Sequence, residues 1–200
     1  MQQGLKSELT KQIIVDEAFK QFYEQGFKTT SIDKIMKASK LTKGAFYHHY
    51  SNKKQLALEV IALKVQKRVS NSMILPLYES GDVIAILEST FLNRIKSFNG
   101  YEKQHGCPMN NLINEIGDSE TAYQLALKHI VNTWKSALIA LIDRGKSEKT
   151  IRENVPSKAT AIYLISAFEG VRGIRKLYDD DMILDDYLLG LSDYIKQLQA

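Results

Sequence analysis

The chain has 200 residues, 44% hydrophobic and 25% charged, ordinary usage for a globular protein with a sizeable buried core. No apolar run nears the ~18 residues of a membrane span, MQQGLKSELTKQ lacks the apolar stretch of a secretory signal, and the single Cys107 excludes an intrachain disulfide, so a cytoplasmic protein is expected. The formal charge of +4 is uneven: residues 1–68 carry net +7 and residues 69–200 net −3, which points to an anionic partner for the N-terminal third or, more blandly, to a lysine-rich solvated surface.

Leu9, Ile13, Ile14, Ala18, Phe19, Phe22 and Tyr23 recur at helical spacing and predict a helix over 7–25, with Gly26 as its left-handed terminator. Thr30 is expected to cap a second helix that buries Ile32, Ile35 and Met36 and ends at Ala38, with Asp33 completing the box. The link Ser39-Lys40-Leu41 is short, and Thr42 caps a third helix over 42–50, which makes a helix-turn-helix. Asn52 starts a longer helix over 52–75, ended near Pro76, and Gly81-Asp82 starts another over 82–98. A polar loop is expected over 99–105, then a helix over 107–117 and a long one from Asp118 or Ser119 to Arg144. A polar loop over 145–155 precedes a helix from Pro156 to Tyr178, and Asp179-Asp180-Asp181 separates it from a last helix ending near Gln199. With no convincing strand, the fold class is all-α with about nine helices.

The third helix is two-faced. Phe46 and Tyr50 share one side, which can pack on the first two helices with Leu41. The opposite side carries Lys43, Gly44, Tyr47 and His48: a cation, a point of close backbone approach, a phenolic hydroxyl and an imidazole. That set is costly to bury and suits a phosphate-lined groove. Lys53 and Lys54 follow at a helix N-terminus, where free amides and the dipole already favour an anion. The simplest explanation is a helix that enters the DNA major groove while its flanks clamp the backbone.

Residues 13–58, IIVDEAFKQFYEQGFKTTSIDKIMKASKLTKGAFYHHYSNKKQLAL, resemble the N-terminal domain of the tetracycline-repressor (TetR) family of transcription regulators. The resemblance is carried by the A-x-x-x-F-x-x-x-G-F-x-x-T-[ST] run, then by I-D-K-I-x-K-A-S and K-G-x-[FL]-Y-H-H, with Tyr50 where phenylalanine is usual. It implies a DNA-binding domain over 1–52 and a ligand-binding and dimerisation domain over 53–200. It also implies DNA contacts at Thr30, Thr42, Lys43, Gly44, Tyr47, His48 and Lys53. GCPMNNLINE, residues 106–115, further resembles a G-C-x-x-x-N-L-x-x-E segment of one branch of the family.

In the body, Tyr163, Ser166, Gly170 and Gly173 form a stripe of mostly small residues on one helix, and Tyr187, Leu191 and Tyr194 an apolar stripe on the last. The resemblance implies that these two helices build a homodimer, which would read a near-palindromic double-stranded DNA operator. Candidates for an effector pocket are Phe91, Arg94, Met109, Asn110, Asn111, Asn114, Tyr123, Trp134 and Phe168, with Arg94 free to pair with Glu115 or meet an acidic ligand. Cys107, expected at a helix N-terminus, is a possible redox or electrophile sensor or a small buried residue.

Together these features point to a DNA-binding regulator, which the resemblance implies is a repressor released from its operator by a small molecule. The alternative is a helical scaffold that uses a basic patch for non-specific nucleic-acid binding. Neither a catalytic residue, a metal site nor a cofactor is expected: His48, His49, His105 and His129 offer no HExxH spacing, and there is no GxGxxG or GxxxxGK[ST].

Overall fold

Spacing and caps account for most of the helices. The computed structural model describes residues 2–200, with side chains from Gly4 onward. Helix α1 spans Gln2–Gln25 and buries Ile14, Val15, Ala18, Phe22 and Tyr23 on one side. It begins ahead of residue 7 because its polar first turns cost a helix little, and Thr10 adds a bond from its hydroxyl to Lys6 O at 2.9 Å. It stops at Gly26, whose φ is +90° and whose amide donates to Phe22 O at 3.1 Å.

Helix α2 (Ile32–Ala38) is capped by Ser31, whose hydroxyl accepts the Lys34 amide at 3.2 Å, and not by Thr30. Thr30 is buried and donates its hydroxyl to Gly26 O at 2.8 Å, so its side chain is directed back into the α1–α2 link and away from the start of α2. The next hydroxyl takes the cap. The C-terminus of α2 closes with paired bonds, Leu41 N to Met36 O at 2.9 Å and Lys40 N to Lys37 O at 3.2 Å, with Lys40 left-handed at φ +56°. Helix α3 (Lys43–His49) follows at once, capped by Thr42 through the Ala45 amide at 3.2 Å.

Helix α4 (53–78) is capped by Asn52 and mixes α and π turns. It passes Pro76 because its end is a 3₁₀ turn, Leu75–Tyr78, with the proline at a first-turn position. Helix α5 (83–96) has Asp82 as its cap and a π stretch at Ser89–Asn93. The expected polar loop contains a short helix, α6 (Gly100–His105), held by a complete capping box of Asn99 and Glu102. Then come α7 (Pro108–Ile116), α8 (Thr121–Ser147), α9 (157–177) and α10 (Met182–Lys196). Among the described residues the extended backbone pairing is a single antiparallel bridge, Ile151 with Gln199, so the class is all-α.

The chain forms two compact units: residues through Lys67 with Pro108–Lys128, and Arg68–Cys107 with His129–Ala200. Compactness therefore groups α7 and the start of α8 with the N-terminal helices. The second unit centres on Phe91, Trp134 and Phe168, all fully buried, with ring centroids 5.7 to 6.2 Å apart. In the same unit Glu102 is buried and takes both Arg68 and Arg94 on one oxygen. Burial alone would raise the Glu102 carboxyl; the Arg94 bond and charge, with Arg68 and the Asn99 amide, outweigh it and hold it below the usual carboxylate range. The folded value lies below the unfolded one, so this contribution is complete above the ordinary carboxylate range and lost as pH falls through the folded value. Glu102→Gln is expected to lower the melting temperature at pH 7, with the gap to wild type closing in acid; a gap that persists at acid pH contradicts this account.

Candidate nucleic-acid interface

The α2–α3 turn presents α3 with one side in and one side out. Phe46 is 0% exposed and Tyr50 is buried, while Tyr47 is 59% exposed. Thr42, Lys43, Gly44 and His48 lie on the exposed side with Tyr47. Glycine is fitting there: a Cβ at position 44 would meet only the Thr42 hydroxyl, at 3.7 Å, so nothing inside the protein requires its absence. Lys43 makes an exposed ion pair with Asp33 at 2.8 Å, and the Asp33 hydrogen bond raises its ammonium pKa. Such a pair exchanges readily for a stronger anion. His49, half-buried, sets its ring edge-on to His48 at 4.9 Å; burial first, then His48, lowers its pKa, which favours the neutral ring.

Two of the candidate DNA contacts stand apart from that surface. Thr30 is buried in the α1–α2 link. Lys53 turns inward: its Nζ donates to Phe27 O and sits 3.9 Å from the centroid of the Phe27 ring, and burial lowers its pKa. Sequence spacing places Lys53 at an anion-favouring helix start but does not reveal the aromatic ring that captures its tip.

The effector candidates divide between the units. Phe91, Trp134 and Phe168 come together in the second. Arg94 pairs with Glu102 and lies over the Phe98 ring at 4.6 Å, so it does not pair with Glu115. Met109, Asn110, Asn111, Asn114 and Tyr123 belong to the first unit, where Met109 and Tyr123 are buried and Asn114 is exposed. Cys107 is buried, and its thiol hydrogen-bonds the Glu169 carboxyl; burial pushes Glu169 up against the opposing pull of Arg172 and that thiol. Reactive thiols are partly exposed, so this placement suits a core residue.

Helices α9 and α10 enclose an open, mainly apolar groove of about 510 Å³, with Tyr163, Gly170, Tyr187, Leu191 and Tyr194 in its wall. Tyr163 and Tyr194 meet at 4.6 Å between ring centroids. Ser166 and Gly173 are exposed on α9, and a Cβ added at Gly170 or Gly173 would meet nothing. Ile174, Leu177, Met182 and Leu189 add exposed apolar surface on the same two elements and the link between them.

Residues 14–60 match the bacterial regulatory proteins of the tetR family, and residues 84–189 match the tetracyclin repressor-like C-terminal domain. The chain belongs to the TetR family. It is a DNA-binding transcription regulator with a helix-turn-helix head. Relatives of this TetR-family chain include the HTH-type transcriptional repressor DhaR of Mycobacterium sp. (strain GP1), 22% identical over 89% of this chain and 88% of that one. The Tn10 transposon protein TetC of Escherichia coli is 49% identical over 28% of this chain and 27% of its own. Among solved structures, a TetR-family regulator from Cytophaga hutchinsonii shares the fold with a TM-score of 0.86 at 22% identity, over 98% of this chain and 97% of that one. The scaffold alternative is thereby not favoured. No described helix of the TetR-family chain is long and apolar enough to cross a membrane.

Proposed function

We propose that the chain is a cytoplasmic one-component repressor that binds a palindromic operator as a homodimer and leaves it when a small molecule binds the body. The observation that carries this reading is the exposed side of α3, where Lys43, Gly44, Tyr47 and His48 stand together over a buried Phe46. In this reading Thr42, Lys43, Gly44, Tyr47 and His48 contact DNA, while Thr30 and Lys53 hold the head in shape behind them.

Homodimerisation is supported by the α9–α10 groove. Two glycines inside a helix cost roughly 1 kcal/mol each against alanine. Gly170 and Gly173 return nothing to the monomer, since the space around them is open, so a second copy approaching that side explains them. A two-fold dimer reads two half-sites of an inverted repeat.

The effector reading rests on the second unit. Thr90 Oγ1 and Trp134 Nε1 are buried with no hydrogen-bond partner, next to the Phe91 ring in chain and in space respectively. Buried polar groups in a settled core are normally paired. A small molecule that engages them releases DNA only if it binds one conformer better than the other. No catalytic step enters this reading.

The test is selection of duplex fragments from a random pool by the purified protein, together with sedimentation. Enrichment of one inverted repeat bound by a dimer is the expected result. Binding without sequence preference, tracking salt alone, overturns the operator reading.

A further inference from the structure

The segment Pro108–Lys128 lies in the same compact unit as the three-helix head, and it meets the head through carboxylates. At the end of α7, Glu115 Oε2 accepts the backbone amide of Lys28 at 3.0 Å. The same carboxyl crowds Gly26: a Cβ there would stand 2.8 Å from Oε1. Glu115 also acts on Lys53, partly offsetting the burial that lowers its pKa. In the first turn of α8 the Tyr123 ring stands edge-on to Phe27 at 5.7 Å. Just before α8, Glu120 forms an ion pair with Lys54.

Both lysines at the start of α4 are therefore engaged from within the protein. Lys53 is held on the Phe27 carbonyl and ring. Lys54 is the half-exposed one, 43% against 45% for Glu120, so its pair is solvated and weak. The helix start that carries Lys54 favours an anion through its free amides and dipole, and it follows α3 by three residues, 50–52. A DNA phosphate arriving beside α3 competes with Glu120 for Lys54. The Glu115 contact differs in kind, because it is locked to backbone and packed against Gly26.

We propose that Glu120 is a phosphate-competing carboxylate that withholds Lys54 from the DNA backbone, and that Glu115 is the positioning residue that keeps Glu120 in place. Operator affinity is then tuned from outside the helix-turn-helix: while Glu120 holds Lys54 the head makes one phosphate contact fewer, and a shift of the 108–128 segment that frees Lys54 supplies it. The proposal rests on the regulator reading and gives the last residue of GCPMNNLINE a role.

The test uses the full chain and a labelled duplex of random sequence, so no operator need be known. Binding is read by anisotropy across a salt series. Glu120→Gln is expected to bind about threefold tighter, the worth of one released exposed pair. Its plot of log affinity against log salt steepens by about 0.9, the mark of one added phosphate contact. The gain disappears in a Lys54→Gln background. Glu153→Gln, the same charge change at an exposed site of the second unit, leaves the slope at the wild-type value. Glu115→Ala acquires the slope of Glu120→Gln, and Glu115→Gln, which keeps an acceptor for the Lys28 amide, restores the wild-type slope. A Glu120→Gln protein indistinguishable from Glu153→Gln, or a gain that survives in the Lys54→Gln background, overturns the proposal while the regulator reading stands. A wild type with no salt-dependent DNA binding overturns both.

Discussion

Phe46→Ala is expected to abolish DNA binding by unfolding the head, whereas Tyr47→Phe is expected to weaken binding and leave thermal stability unchanged. The two residues are neighbours on α3 with opposite environments, 0% and 59% exposed. Phe46 packs its ring 5.6 Å from Tyr50 and lies fully buried beneath the interface. Truncating a buried phenylalanine costs about 3–5 kcal/mol in lost transfer energy and residual cavity. That is a large share of the ~5–15 kcal/mol that holds a domain folded. Tyr47→Phe removes only a hydroxyl that has no core to support. A hydrogen bond to a charged oxygen is worth about 1.5–3 kcal/mol, so the expected loss in operator affinity is about tenfold or more. Thermal melts and anisotropy at matched salt separate the outcomes. Unchanged affinity of Tyr47→Phe contradicts the assigned surface, and a Phe46→Ala protein that melts like wild type contradicts the packing.

Gly26→Ala is expected to destabilise the first unit by about 2 kcal/mol, combining the left-handed backbone penalty with overpacking. The backbone at Gly26 has φ +90°, and an added methyl would stand 2.8 Å from Glu115 Oε1. The backbone part is intrinsic to the α1 terminus. The steric part belongs to α7. A cycle with Glu115→Ala therefore separates them: urea unfolding should show Gly26→Ala costing less when Glu115 is already absent. Equal costs in both backgrounds would mean that the Glu115 carboxylate does not press on this turn.

Local chemistry made much of the architecture legible. Thr42, Asn52 and Asp82 are the caps that their sequence context predicts, because a side-chain oxygen reaching an amide two or three residues on needs no distant partner. The two sides of α3 are likewise local, since residues 46 and 50 share a face on any helix. Short-range packing explains the misplaced cap at α2: Thr30 and Ser31 are both good caps, and the cap fell to Ser31 because the Thr30 side chain is buried and directed back at the Gly26 carbonyl, away from the first amides of α2. The helix α6 was also written locally, in Asn99 and Glu102, but its polar composition reads as loop until Glu102 is seen buried against Arg68 and Arg94.

The sequence by itself determined the all-α class, the helix-turn-helix and which side of α3 carries a cation, a glycine, a phenol and an imidazole. It could do so because caps, turns and helical periodicity act over four residues or fewer. Tertiary structure alone decided that Lys53 turns inward onto Phe27, that Arg94 meets Glu102 and not Glu115, and that Glu115 reaches the Lys28 amide across 87 positions of chain. A charged side chain long enough to span several ångströms has many possible partners. Which one it takes is set by the packing of helices distant in sequence, and by which of those partners lies within reach once water has been excluded.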